Sequence, residues 1–307
     1  MKYLFIVNPI SGKRDAKETI VPLIENWFKN KDFDWQIVLT EYPKHAEELA
    51  RTAGESGEKT RVCACGGDGT LSETVNGAFG FDNLEIACFP CGSGNDFIKC
   101  FGGAENFRSV ELVVNGFSTP IDVLRVNDCN CFNLMSVGID ADVTEGTIRW
   151  RRFPAFRGAI SYNLALAECL LKPLGKKLRM TVDGERFDGT YMLTAAGNGK
   201  VYGGGYVATP EARPDDGIID VVTVDKIPLM RIMKVLGLYK RGEHIVDGKV
   251  IDSLKDCVHY MRASELSIES DKEFVVNIDG EVFMSNSITV KLLHHAVRFV
   301  VPAEFVK

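Results

Sequence analysis

With 307 residues, 45% of them hydrophobic, and a formal net charge of −6, the chain can bury two ordinary cores, and domains of about 100–150 residues make two the natural division. The acidic balance, with no helix-turn-helix or RNA-binding signature, argues against nucleic acid as a partner, and no stretch approaches the roughly 20 apolar residues that a membrane span needs. Nine cysteines, odd in number and set mostly in apolar runs, fit buried thiols in a reducing cytoplasm rather than a disulfide framework; Cys88-x-x-Cys91 has no second pair or neighbouring His to complete a zinc site.

Residues 1–7 read as a first strand rather than a signal-peptide core. In chain order, 2–8, 35–40, 61–65 and 85–89 are β-type runs separated by helical periodicity over 15–29, 45–57 and 71–78. That alternation predicts an α/β nucleotide-binding domain with a parallel sheet over 1–122. Three connections that follow these strands carry punctuation suited to phosphate: Asn8-Pro9-Ile10-Ser11-Gly12-Lys13, Gly66-Gly67-Asp68-Gly69-Thr70 and Gly92-Ser93-Gly94-Asn95-Asp96. All fall at the carboxyl ends of strands, where open α/β sheets bind ligands. From Ile121 onward the pattern changes to short alternating runs, interrupted by helical stretches at 161–171 and 229–240, so 123–292 reads as a β-rich second domain. Asp183-Gly184 and Asp279-Gly280 are hairpin signals. Residues 293–307 complete the second domain or return to the first; periodicity leaves both open.

The glycines of Gly66–Thr70 let a backbone approach an anion closely, and the helix that follows offers its free N–H groups. Asp68 is the odd member, because a carboxylate beside phosphates needs a divalent metal or a proton transfer to justify it. Together they point to Mg-nucleotide chemistry. The Walker A spacing fails, since Gly12-Lys13 is followed by Arg14, and a G-x-G-x-x-G fails at Phe97.

A longer pattern does match. Asn8-Pro9-x-Ser11-Gly12-Lys13, Gly66-Gly67-Asp68-Gly69-Thr70-Leu71-x-Glu73-x-x-Asn76-Gly77 and Pro90-x-Gly92-Ser93-Gly94-Asn95-Asp96-Phe97 resemble, in order and spacing, the diacylglycerol and sphingosine kinase catalytic-domain family, especially its soluble bacterial lipid-kinase branch. The likeness continues in Asn133-x-x-Ser136-x-Gly138-x-Asp140-Ala141, 198–205, Pro210-x-Ala212, Asp215-Asp216-Gly217-Ile218-x-Asp220 and Ile278-Asp279-Gly280-Glu281. NAD kinases and phosphofructokinase-like enzymes use similar Gly-Gly-Asp-Gly-Thr turns, but the ordered set is specific.

The resemblance implies a NAD kinase/phosphofructokinase-like first domain, a β-sandwich-like second domain, and transfer of the ATP γ-phosphoryl group to the hydroxyl of a lipid such as diacylglycerol. It assigns the nucleotide to Asn8, Ser11, Gly12, Lys13, Thr40, Gly66, Gly67, Asp68, Gly69, Thr70, Leu71, Ser72 and Ser93. The general base falls on Glu281; Asp68 competes for that role or holds catalytic Mg²⁺ beside Asp96. A structural Mg²⁺ falls to the Asp216 side chain with the backbone carbonyls of Arg213 and Ile218, and Asp122 joins through water. The same acidic stretch also reads as a solvated loop. Departures are slight: Ser93 stands where the family more often has Thr, and Cys91 where an aliphatic residue is usual.

Arg149-Trp150-Arg151-Arg152-Phe153-Pro154-Ala155-Phe156-Arg157 reads either as an interfacial patch for anionic headgroups or as a packed segment with solvated arginines. The five histidines lie outside any recognised motif and read mostly as surface or strand residues. The resulting expectation is a cytoplasmic lipid kinase in transient peripheral contact with membrane, its homodimerisation left open. The competing expectations are a NAD-kinase-like phosphotransferase with a soluble substrate and a non-catalytic nucleotide or lipid sensor.

Overall fold

The computed structural model describes residues 1–12, 16–92, 94–153, 156 and 159–305. The chain divides into two compact units: Met1–Val123 with Pro214–Asp216 and Leu293–Lys307, and Leu124–Arg213 with Gly217–Leu292.

The first unit alternates β1 (Lys2–Val7), α1 (Ala16–Phe28), β2 (Asp34–Leu39), α2 (His45–Glu55), β3 (Thr60–Gly66), α3 (Asp68–Ala78), β4 (Leu84–Pro90) and the short α4 (Val110–Asn115). The strands pair in parallel in the order β2-β1-β3-β4. β3 and β4 are buried along their whole length, which explains their near-continuous apolar character. Phe5, Ile24 and Phe28 fill the core on one face. Toward the chain terminus Phe299 pairs in parallel with Ile86 and packs edge-on against Phe97 at 5.3 Å.

Two charges sit inside this sheet. Arg61 and Glu85 are register partners on β3 and β4, and both are buried. The Arg61 Nε and Nη2 groups donate to Glu85 Oε2 at 2.9 and 2.5 Å, while Nη1 donates to the carbonyls of Val113, Val114 and Gly116. The guanidinium thereby neutralises the acid and satisfies the orphan carbonyls at the end of α4.

β5 (Phe117–Val126) carries the chain into the second unit. There follow β6 (Cys129–Cys131), β7 (Leu134–Gly138), α5 (Ile139–Arg151), α6 (Ala159–Leu171), β8 (Lys176–Val182), β9 (Glu185–Gly197), the short pair β10 (Val201–Tyr202) and β11 (Tyr206–Val207), and β12 (Ile219–Asp225). α7 (Leu229–Arg241), the short pair β13 (Ile245–Val246) and β14 (Lys249–Val250), β15 (Val258–Ala263), β16 (Glu265–Ile278) and the first part of β17 (Glu281–Val301) complete it; from Leu293 onward β17 belongs to the first unit. The pairing is antiparallel in the order β15-β12-β9-β7-β16-β17, with β8 joining β9 and β16 at their other halves. Both Asp-Gly turns have positive φ at each central residue, 45° and 87° at Asp183-Gly184, 51° and 95° at Asp279-Gly280, as two-residue hairpins with right-handed strand twist require.

α5 is an addition to the helices expected in this half. Its buried face is Ala141, Val143, Gly146 and Thr147, with Ile139 and Trp150 partly buried beside Val143, an apolar stripe thinned by small and hydroxyl-bearing residues. The small residues have a packing purpose: a Cβ on Gly146 would stand 2.9 Å from Ala165 Cβ on α6.

Candidate functional site

The strand ends of the first unit bring the expected nucleotide residues to one edge. Asn8 N donates to Cys65 O at 3.0 Å, Thr40 N to Val7 O at 2.9 Å and Cys91 N to Gly66 O at 2.8 Å, so the loops after all four parallel strands leave the sheet together. Asn8 ties two of them: its Nδ2 donates to Thr70 Oγ1 at 3.1 Å, and its Oδ1 accepts from Ile10 N. Ser11 N donates back to Asn8 O, and Gly12 takes φ 88°. Lys13 and Ser93 lie outside the described residues.

Gly67 caps α3 without any side chain, so the first-turn amides from Asp68 to Thr70 have no acceptor within the helix, and the positive end of its dipole has no side-chain cap among the described residues. Beside Gly69 no described residue lies within 4 Å of where a Cβ would stand, so that flank of the first turn is open. Gly92 differs: its Cβ would stand 2.6 Å from Gly67 Cα, a contact of backbone on backbone that only glycine permits. The two glycine turns thus touch.

Asp68 locks that contact. Its Oδ2 accepts from Asn95 N at 2.7 Å and its Oδ1 from Asp96 N at 2.6 Å. A Cβ on Gly94 would strike Asp68 Oδ2 at 2.4 Å, and Asn95, at φ 48°, donates its own Nδ2 to Gly66 O. Burial and the charge of Asp96 push the Asp68 carboxyl above its ordinary value, against the two backbone bonds that pull it down. Asp96 is buried and ion-paired to Lys99 at 2.6 Å.

Three further residues of the motif have structural duties that sequence reasoning missed. Glu73, on α3, accepts from Lys44 N at 2.9 Å and Ala46 N at 3.2 Å, and so caps α2 from a neighbouring helix. Asn76 donates to Ser72 O within α3. Gly77 admits the backbone of α2: a Cβ there would lie 2.1 Å from Glu47 O. No local signal in the sequence distinguishes a cap supplied by another helix.

In the second unit Glu281 is exposed at the start of β17, paired in register with Ile278. Its neighbour Asp279 is half-buried and accepts from Phe132 N at 2.9 Å, Leu134 N at 3.0 Å and Asn133 N at 3.2 Å. Desolvation outweighs these bonds and pushes its carboxyl up to about 6.

The same unit holds an apolar cavity of about 130 Å³ between α5, α6 and α7, lined by Val143, Leu166, Leu170, Leu193, Val235 and Leu236. Its polar members are Asp140, Thr144, Tyr162, Tyr202, Tyr206 and Tyr239. Both Asp140 oxygens are buried with no partner at hydrogen-bonding geometry among the described residues. Desolvation pushes this carboxyl up to about 6, moderated by the Ser136 and Tyr202 hydroxyls.

Of the residues expected to hold structural Mg²⁺, Asp216 is half-buried, Arg213 exposed and Ile218 half-buried. Of the arginine-aromatic segment, Pro154, Ala155 and Arg157 lie outside the described residues. Arg149 pairs with Glu168 on α6, Arg151 and Arg152 are exposed, and Trp150 packs edge-on against Phe156. His244 departs from the surface expectation: it is buried, its Nε2 lies 3.0 Å from Ala208 O, and desolvation lowers its pKa to about 4. All nine cysteines are free. Among the described residues no helix is long and apolar enough to cross a membrane.

Two family models match: "Diacylglycerol kinase catalytic domain" over residues 2–126, and "YegS C-terminal NAD kinase beta sandwich-like domain" over residues 133–301. The chain is 27% identical over 279 residues to "Diacylglycerol kinase" of Bacillus subtilis (strain 168), covering 90% of this chain and 88% of that protein. It is 32% identical over 249 residues to "Probable lipid kinase YegS-like" of Shewanella frigidimarina (strain NCIMB 400), covering 79% and 76%. The crystal structure of a diacylglycerol kinase from Bacillus anthracis str. Sterne superposes with a TM-score of 0.71 at 22% identity, over 99% of this chain and 98% of that one, which speaks for the fold.

Proposed function

Since the chain belongs to the family of bacterial lipid kinases in which a diacylglycerol kinase catalytic domain precedes a YegS-type C-terminal domain, we propose that it phosphorylates a diacylglycerol-like lipid alcohol with ATP and Mg²⁺. It is an ATP-dependent lipid kinase; the acceptor, the metal and the residue roles are the proposal. The observation that carries it is the pair of touching glycine turns locked by Asp68, at a helix N-terminus whose cap residue has no side chain. Phosphoryl transfer needs in-line positioning and charge neutralisation more than covalent help, and oriented amides provide both without reorganisation.

In this reading the amides of Gly67 to Thr70 hold the triphosphate, and Asn8 and Thr40 border it. Asp68 fixes the second turn, and the mutual repulsion of Asp68 and Asp96 suits a divalent cation held near them, which would neutralise phosphate charge. Glu281 accepts the proton of the lipid hydroxyl as its oxygen bonds to the γ-phosphorus and ADP leaves. Its exposure, with no ion-pair partner among the described residues, suits that task. The apolar cavity supports an acyl-bearing acceptor, and Asp140 supplies one polar contact within it. Exposed Met230 and Met233 on α7, the second of which lines the cavity, support a peripheral contact with membrane.

The test is a panel of neutral lipids incubated with labelled ATP. Label should pass to the organic phase with diacylglycerol-like acceptors, and Glu281→Gln should abolish transfer while ATP binding survives. Full activity in that variant refutes the base assignment; label that remains aqueous with NAD as acceptor refutes the lipid reading.

A further inference from the structure

Asp122, His294 and His295 present one ligand atom each within 4.8 Å of one another, the one such group of three among the described residues. Successive residues of a strand face opposite ways, so His294 and His295 belong on opposite sides of β17. His295 instead takes φ 53°, a left-handed conformation inside a strand, and the two imidazoles lie face to face with centroids 3.6 Å apart. The backbone breaks its alternation and puts both rings on one side.

That side faces a buried acid. Asp122 is 0% exposed; its Oδ1 lies 2.8 Å from His294 Nδ1 and accepts from His295 N at 2.8 Å. Its own N–H donates to Pro214 O at 2.7 Å, beside Asp215 and Asp216. Bonds of about 2.0–2.2 Å to nitrogen and carboxylate oxygen hold ligand atoms about 3.3–3.6 Å apart in a tetrahedral shell, so the exposed rings turn and draw together when the ion binds. Two imidazoles with one carboxylate favour zinc and its neighbours over magnesium, which prefers an all-oxygen shell.

We propose that Asp122, His294 and His295 form a binding site for one divalent transition-metal ion of the zinc class, with the exposed side of the histidines left for water. The ion replaces the proton between His294 and Asp122. It clips β5 to the last strand and, through Asp122, steadies the Pro214–Asp216 stretch.

The test uses the full chain, stripped with chelator and titrated with Zn²⁺ against a chromophoric competitor, with Co²⁺ absorption as a second readout. One Zn²⁺ per chain should bind, and Co²⁺ should give the intense visible bands of a low-symmetry site. His294→Gln or His295→Gln should weaken Zn²⁺ at least about tenfold, and the double variant should lose it. Both side chains are exposed, and circular dichroism verifies the fold. Asp216→Asn should leave Zn²⁺ affinity unchanged, which separates this site from the expected Mg²⁺ position. The proposal is overturned if the stripped wild type takes up no Zn²⁺, if the double variant binds as well as wild type, or if binding is lost with Asp216 alone.

Discussion

Asp68→Asn tests whether this residue acts as a clamp. Each of its oxygens accepts one backbone N–H of the second glycine turn, at 2.7 and 2.6 Å. An amide retains one acceptor and turns a donor toward the other N–H. One bond to a charged acceptor disappears, worth about 1.5–3 kcal/mol, and an N–H is left facing a donor. Some of that loss is returned, because the neutral side chain escapes the desolvation and the Asp96 repulsion that hold the Asp68 carboxyl above its ordinary range. A net loosening of about 2 kcal/mol should speed exchange of the Asn95 or Asp96 amide about 30-fold. Native-state hydrogen exchange by NMR measures it, with global unfolding followed separately. The same loosening should raise KM for ATP without changing the shape of the pH–rate profile. If both amides keep their wild-type protection while activity collapses and the basic limb of the profile vanishes, Asp68 is a chemical participant and the clamp argument fails.

Gly92→Ala drives a methyl against Gly67 backbone at 2.6 Å, where neither side is a flexible tip, so ATP affinity should fall at least about tenfold in an isothermal titration; unchanged affinity would mean the turns need not touch. Glu73→Ala removes the acceptor for Lys44 N and Ala46 N, and should lower stability in urea by about 0.5–2 kcal/mol, with α2 amides exchanging first. Asp140 holds its proton more tightly folded, at about 6, than its ordinary value of 3.8, so its favourable contribution is complete below about pH 4 and is lost as pH rises through 6. Asp140→Asn should therefore gain up to about 3 kcal/mol on wild type between pH 4 and pH 8 in urea titrations, and a difference independent of pH would refute the assignment.

Strand positions in the first half were legible because a strand buried on both faces writes itself as a short, nearly continuous apolar run; the runs at 61–65 and 85–89 fall inside Thr60–Gly66 and Leu84–Pro90. The hairpins at Asp183 and Asp279 were legible for a related reason, since few residue pairs tolerate two successive positive φ values. What stayed hidden depends on partners far along the chain. The contact of Gly67 with Gly92 exists only because β3 and β4 are neighbours, and the cap Glu73 provides exists only because α3 lies beside α2. The left-handed turn at His295 had no local signal, because histidine in a β-forming run reads as ordinary strand.

The two Asp-Gly-Glu turns show how far turn chemistry reaches into function. In the exposed copy, Asp183 accepts from Ser264 N and Glu265 N; against a desolvation that pushes its carboxyl up, these bonds hold it below its ordinary value. In the half-buried copy, Asp279 does the same work for Phe132, Asn133 and Leu134, and desolvation wins. Each aspartate therefore uses the positive-φ corner to aim its carboxylate at the backbone of an adjoining strand, and each glycine closes the turn. Those duties consume the Asp and the Gly in both hairpins and leave the glutamate as the one residue whose role the hairpin does not determine. Glu185 and Glu281 occupy the same place in their turns, each opening the return strand. Any chemical difference between the two must then come from what surrounds the glutamate and not from the motif. The Glu281 assignment accordingly stands on its family position, and the base test needs Glu185→Gln as its internal control.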